Sequence, residues 1–152
     1  MTDWLVLAAA LPAHPSALRV RVWRALKATG AGTLREGVYL LPQSAPTAGA
    51  LWQLERTIAD AGADAHLLVV AARDATQEAA FRALFDRSAL YAELLQTIKE
   101  TRSALGSASE AALHKTLRGL DQQFAAVRAT DFFPARPAER AAAALTALRR
   151  EI

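Results

Sequence analysis

The chain has 152 residues, 53% of them apolar and 22% charged, a balance that supports a buried core and excludes wholesale disorder. It contains no cysteine, which excludes disulfides, thiolate metal sites and cysteine nucleophiles and fits a reducing cytoplasm. The formal charge is +3, and residues 15–36 alone carry +4, so the rest of the chain is close to neutral.

The first segment, DWLVLAAALP, is an apolar run ended by Pro12 and Pro15. It is too short to span a bilayer and lacks the basic flank of a signal peptide. Its length and flanks predict a buried strand. Ser16 stands where a helix N-cap belongs. From Ala17 to about Thr29, Leu18, Val22, Ala25 and Leu26 recur on one helical face, and Gly30 supplies a stop. Thr33–Leu34 and Val38–Leu41 read as strand pieces around Arg35-Glu36-Gly37, either a tight hairpin or one bulged strand. Residues Pro42 to Pro46 read as a loop. Leu51, Leu54, Ile58 and Ala61 then mark a second amphipathic helix closed by Gly62, and His66 to Ala72 form another short buried strand.

This order predicts an α+β fold, a ferredoxin-like βαββαβ sandwich with both helices on one face of an antiparallel sheet. A three-stranded parallel βαβ arrangement is the alternative. After Arg73 the character changes. Thr76 to about Leu105 is rich in helix formers and free of proline and glycine, with Phe81, Leu84, Phe85, Leu95 and Ile98 as a broken apolar stripe. A kink is expected near Asp86-Arg87-Ser88. Ser109 to about Ala129 forms the next helix, with Leu113, Leu117, Leu120, Phe124 and Val127 on one side. DFFPARP is a hinge, because Pro134 and Pro137 forbid a continuous helix. The last helix runs from Ala138 to about Ile152 and buries Ala142, Leu145 and Leu148. The expected organisation is a ferredoxin-like region over residues 1–73 and a helical region of three to four helices over 74–152, packed on it as one cooperative unit.

Little in the sequence points to catalysis. His14, His66 and His114 lie in separate elements without ligand-spaced partners, so no metal site is expected. Phosphate loops, dinucleotide fingerprints and nucleophile elbows do not occur. Asp60, Asp64 and Asp74 read as caps and turn residues. The strongest local signal is basic. Arg21, Arg24 and Lys27 fall at i, i+3, i+6 and form one drifting stripe opposite Leu18, Val22 and Leu26. Arg19 lies at the edge of the apolar face, where a guanidinium wants a carboxylate, carbonyls or an anion. Arg35 adds a cation from the neighbouring turn. Such a cluster suits an oxyanion or a phosphate backbone, and a solvated helix face with snorkelling arginines is the plain alternative. Trp23 and Tyr39 interleave with apolar residues, which favours a core or interface role over stacking on a base.

The stretches WLVLAAALP, RVRVWRALKATGAGTLREGVYLLP, HLLVV, FDRSALYAELL and ATDFFP, in this order along nearly the whole chain, resemble the N-terminal domain of the ChrB chromate-resistance regulators. The arginine-rich helix and GVYLLP are also similar, more distantly, to the Cas2-like domain of PaaX-type repressors, which is ferredoxin-like. The resemblance implies a cytoplasmic, DNA-binding transcriptional regulator that responds to chromate and controls chromate efflux. It makes Arg19, Arg21, Arg24, Lys27 and Arg35 candidates for contacting DNA phosphates or chromate. Paired guanidinium donors suit a tetrahedral dianion. No cofactor is implied, chromate being an effector, and no membrane partner; a homodimer is expected. ChrB proteins carry a second, C-terminal domain, and chromate sensing housed there would leave this stretch a DNA or partner-binding module. Cas2 nucleases hold a metal with an aspartate at the end of the first strand. This chain has AALPAHP there, so a metal-dependent nuclease, and an enzyme generally, is not expected. An oxyanion-sensing or protein-interaction module without DNA binding is the alternative function.

Overall fold

The computed structural model describes residues 2–152. It is an α+β protein whose elements run β1 (Asp3–Ala10), α1 (Ala17–Thr29), β2 (Gly32–Arg35), β3 (Val38–Pro42), α2 (Ala45–Asp60), β4 (Asp64–Ala71), α3 (Ala75–Ala83), α4 (Ser88–Ser103), α5 (Glu110–Ala129) and α6 (Arg136–Glu151). The first six follow the βαββαβ order, and the strands form one sheet in the order β2-β3-β1-β4. All three pairings are antiparallel, which rules out the parallel βαβ alternative.

Two compact units divide the chain, one ending at Phe85 and the other spanning Asp86–Ile152. The first unit thus takes in α3 as well as the six elements that end at Ala71. The reason is aromatic: Trp4 of β1 meets Phe81 edge-on at 5.5 Å and stacks on Phe85 at 5.7 Å. Each such pair adds roughly 0.5–1.5 kcal/mol beyond the area it buries. The buried Glu78 accepts the Trp4 indole N–H at 2.9 Å, so a polar group in this core is satisfied and α3 is tied to the sheet.

Pairing register sorts the strands into two faces. Leu7, Tyr39 and Leu67 lie side by side on one, Val6, Leu40 and Leu68 on the other. Leu5, Leu7, Leu40, Leu41, Val22, Leu26, Leu51 and Ile58 make up much of the core of this unit. The hairpin reading holds for β2 and β3, with an irregularity between Thr33 and Arg35.

Several boundaries differ from the sequence expectation. Residues Pro42–Pro46 are not all loop, because α2 begins at Ala45 with Pro46 in its first turn, where a missing N–H costs nothing. Ser44 and Thr47 form a reciprocal capping box there. Ser16 adopts a helical backbone and makes no side-chain cap; its carbonyl instead accepts from Val20 N–H at 3.1 Å. The expected kink at residues 86–88 is a full break, with α3 ending at Ala83 and α4 starting at Ser88. At the outer edge of β4, the Glu55 carboxylate of α2 accepts the Leu67 N–H at 2.5 Å.

In the second unit, α4, α5 and α6 share a core of Tyr91, Leu94, Ile98, Leu117, Leu120, Ala138, Ala141, Leu145 and Leu148. Leu94 rather than Leu95, and Ala141 rather than Ala142, take the fully buried positions. Both shifts are one residue, the error expected where alanine-rich periodicity leaves the helix phase loosely defined. No helix among the described residues is long and apolar enough to cross a membrane.

Candidate nucleic-acid interface

Helix α1 carries four of the five candidate cations. Val22 and Leu26 anchor it by burial, and Gly30, at φ 76°, closes it with its N–H on the Leu26 and Lys27 carbonyls. With that face fixed, Arg21, Arg24 and Lys27 are exposed. Among the described residues, Arg21 and Arg24 form no ion pair. Lys27 lies over the Trp23 ring, its Nζ 5.0 Å from the centroid.

Arg19 behaves differently from that stripe. Its Nη2 donates to Glu36 Oε1 at 3.0 Å, joining α1 to the β2–β3 turn. The pair is exposed, 44% for the arginine side chain and 86% for the glutamate. A solvent-screened pair of this kind contributes at most about 1 kcal/mol. The carboxylate that Arg19 was expected to seek is therefore its turn neighbour, and the guanidinium is not buried.

The turn is held close by Gly37. Its φ is 83°, and an added Cβ would lie 2.7 Å from the Ala9 carbonyl oxygen. Its own carbonyl accepts Ala9 N–H at 2.8 Å. Only glycine meets both demands, the left-handed backbone and the close approach. The result is a cavity of about 560 Å³ between α1, the end of β1 and the hairpin. Val20, Trp23 and Tyr39 line it together with Arg19 and Glu36.

Arg35 stands apart. It pairs in register with Val38, the neighbour of Tyr39 on the opposite sheet face, and does not line the cavity. The structure thus gathers Arg19, Arg21, Arg24 and Lys27 on one helix and leaves Arg35 on another surface. Of the core or interface role expected for Trp23, the core half does not hold: the side chain is 59% exposed. Tyr39 is half-buried.

Two histidines do have carboxylate neighbours that spacing alone did not single out. His66 Nε2 is 3.1 Å from Asp64, and His114 Nε2 is 3.6 Å from Glu110. Among the described residues no three His, Asp or Glu side chains gather as a metal site would require.

A second polar cluster lies wholly within the helical unit. The Tyr91 hydroxyl donates to Asp131 Oδ2 at 2.6 Å, and Arg128 Nη1 approaches the same oxygen at 3.7 Å. Arg87 Nε donates to the Thr130 carbonyl at 3.0 Å. Burial first, and the Asp131 carboxylate second, push the Tyr91 phenol up to about 12. All of these residues but Arg128 come from FDRSALYAELL and ATDFFP, two stretches that carried the resemblance without any residue in them being assigned a role. The available signal was the lone acid Asp131 directly before two phenylalanines, a polar group in an apolar setting that needs a partner.

The family model described as "Protein ChrB, N-terminal" matches residues 19–152. The chain is 41% identical over 140 residues to Protein ChrB of Cupriavidus metallidurans strain CH34. That alignment covers 92% of this chain but 43% of the relative, so the chain spans less than half the length of the protein it matches. No solved structure matches.

Proposed function

The chain belongs to the ChrB N-terminal family of chromate-resistance proteins, and from that premise we propose that it is a cytoplasmic, DNA-binding regulatory domain without enzymatic activity. The observation that carries the reading is α1: Arg21 and Arg24 are exposed and form no ion pair among the described residues, on a helix whose opposite face is locked into the core. Unpaired guanidinium groups on a rigid helix suit phosphates, which accept paired N–H donors and release counterions when neutralised. Lys27 and Arg19 extend the positive surface, and Arg35 would act from a separate one. An oxyanion effector finds less support at the cavity. The one cation lining it is Arg19, already neutralised by Glu36.

The test is a gel-shift titration with duplex DNA from the promoter of a chromate-efflux operon, repeated across salt concentrations. Affinity is expected to fall linearly on a log–log plot against salt. Arg21→Ala with Arg24→Ala should weaken binding to all sequences alike and reduce the salt slope by about 2. No binding at low salt, or an unchanged slope in the double variant, would refute the proposal.

A further inference from the structure

We propose that the cavity beside α1 receives the base of an unpaired nucleotide, stacked on Trp23, while Arg21 and Arg24, on the same helix but outside the cavity, track the flanking backbone. The inference rests on the DNA reading above and narrows it to a substrate form. Trp23 is 59% exposed and Val20 43%, an uncommon amount of apolar surface to leave in water beside a cavity. The cavity, about 560 Å³, falls in the range of small-molecule sites, roughly 300–1,000 Å³, and exceeds what a lone tetrahedral anion fills. Lys27 occupies one side of the Trp23 ring and does not line the cavity, whereas Trp23 does. A second aromatic, Tyr39, stands in the same wall.

Ring-bearing walls with cations alongside are the two ingredients of single-strand binding: stacking on aromatic faces and an electrostatic track for the backbone. The free charge lies outside the cavity: Arg19, in its wall, is paired with Glu36, whereas Arg21 and Arg24 elsewhere on α1 are exposed and form no ion pair among the described residues, which suits a ligand with an aromatic base and a backbone that continues beyond the cavity. A concave site also differs from an intercalating wedge, which must protrude into a base step. The hairpin supports the cavity, because Gly37 fixes the turn that carries Glu36 against β1.

The experiment compares a single-stranded 20-mer with a duplex of the same length at low salt, using wild-type chain, Trp23→Ala, Val20→Trp to fill the cavity, and Trp52→Ala. Trp52 is an equally exposed tryptophan with its own arginine, Arg56, at 5.0 Å, so it controls for non-specific stacking. The expected result is that Trp23→Ala and Val20→Trp each lower single-strand affinity about tenfold and leave duplex affinity within about twofold, and that Trp23→Ala also removes the quenching of tryptophan fluorescence that the single strand causes. Trp52→Ala should change neither affinity. Duplex binding that depends on Arg21 and Arg24, with single-strand affinity indifferent to Trp23, would overturn this inference and leave the DNA reading standing. An equal loss for both DNA forms in Trp23→Ala would overturn it too. Absence of binding to either form would overturn both proposals.

Discussion

Tyr91 is 2% exposed, and its hydroxyl donates to a carboxylate that is itself buried. Deleting the hydroxyl removes that bond and leaves the Arg128 guanidinium at 3.7 Å from the carboxylate. Tyr91→Phe is therefore expected to cost about 1–3 kcal/mol at neutral pH, the usual penalty for a buried acceptor left short of a partner. The pH dependence follows from the raised phenol. An unfolded tyrosine ionises near its ordinary value of 10.0, the folded one at about 12. The unfolded chain thus loses its proton first. The contribution is full below about pH 10 and is lost as pH rises through about 12. Urea denaturation of wild type and Tyr91→Phe at pH 7 and pH 11 should show the gap between them shrinking at the higher value. At this scale the sequence was read unevenly. The charges on α1 were legible because helical spacing assigns exposed residues to one side. The Arg19 partner, the exposure of Trp23 and the Tyr91–Asp131 bond were not, since each depends on a contact between residues distant in the chain or on a face that remains uncovered.

Elements differ in how much local chemistry defines them. The turn between β2 and β3 depends on one residue. Gly37→Ala forces a left-handed backbone on a side chain and drives a methyl to 2.7 Å from the Ala9 carbonyl oxygen. It is expected to destabilise by more than about 1 kcal/mol and to deform the cavity wall. Gly49 is the opposite case. It lies inside α2, where an added methyl meets nothing within 4 Å. Gly49→Ala should stabilise by up to about 1 kcal/mol, the helix penalty of glycine relative to alanine. Thermal melts of the two variants should move in opposite directions. The same contrast explains which boundaries could be read. Glycine stops, prolines and apolar periodicity located the strands and the bounds of α1, but left the start of α2 misassigned and α3 and α4 joined as one kinked helix. Capping depends on backbone angles that a serine does not announce: Ser44 is extended and caps, whereas Ser16 is helical and does not. The helical break after Ala83 was legible only as a weak point, because no glycine or proline marks it and the separation follows from Phe81 and Phe85 packing on Trp4.

At the scale of the whole molecule, each unit has its own core, one built on the sheet and one on α4, α5 and α6. The first unit carries every cation singled out from the sequence, and the second, Asp86–Ile152, lies wholly within the residues that the family model matches. The matched region therefore includes more than a basic helix. Its helical unit has a buried polar cluster of its own, and that cluster requires the FDRSALYAELL and ATDFFP stretches to be present together.

The Glu55 carboxylate on the Leu67 N–H has a consequence for how the sheet ends. Edge strands present unpaired backbone groups that template the addition of another chain, and β4 is eight residues long with Leu68 and Val69 exposed. The opposite edge, β2, is protected by being four residues long and irregular. A single side chain does the corresponding work at β4, blocking strand addition midway along its length. Glu55→Ala should then raise the rate of fibril growth on mild heating, read by thioflavin fluorescence, with little change in helical content beforehand. An unchanged rate would mean that twist alone terminates the sheet. If the carboxylate is the terminator, a strand that pairs along β4 must first displace Glu55 from the Leu67 N–H.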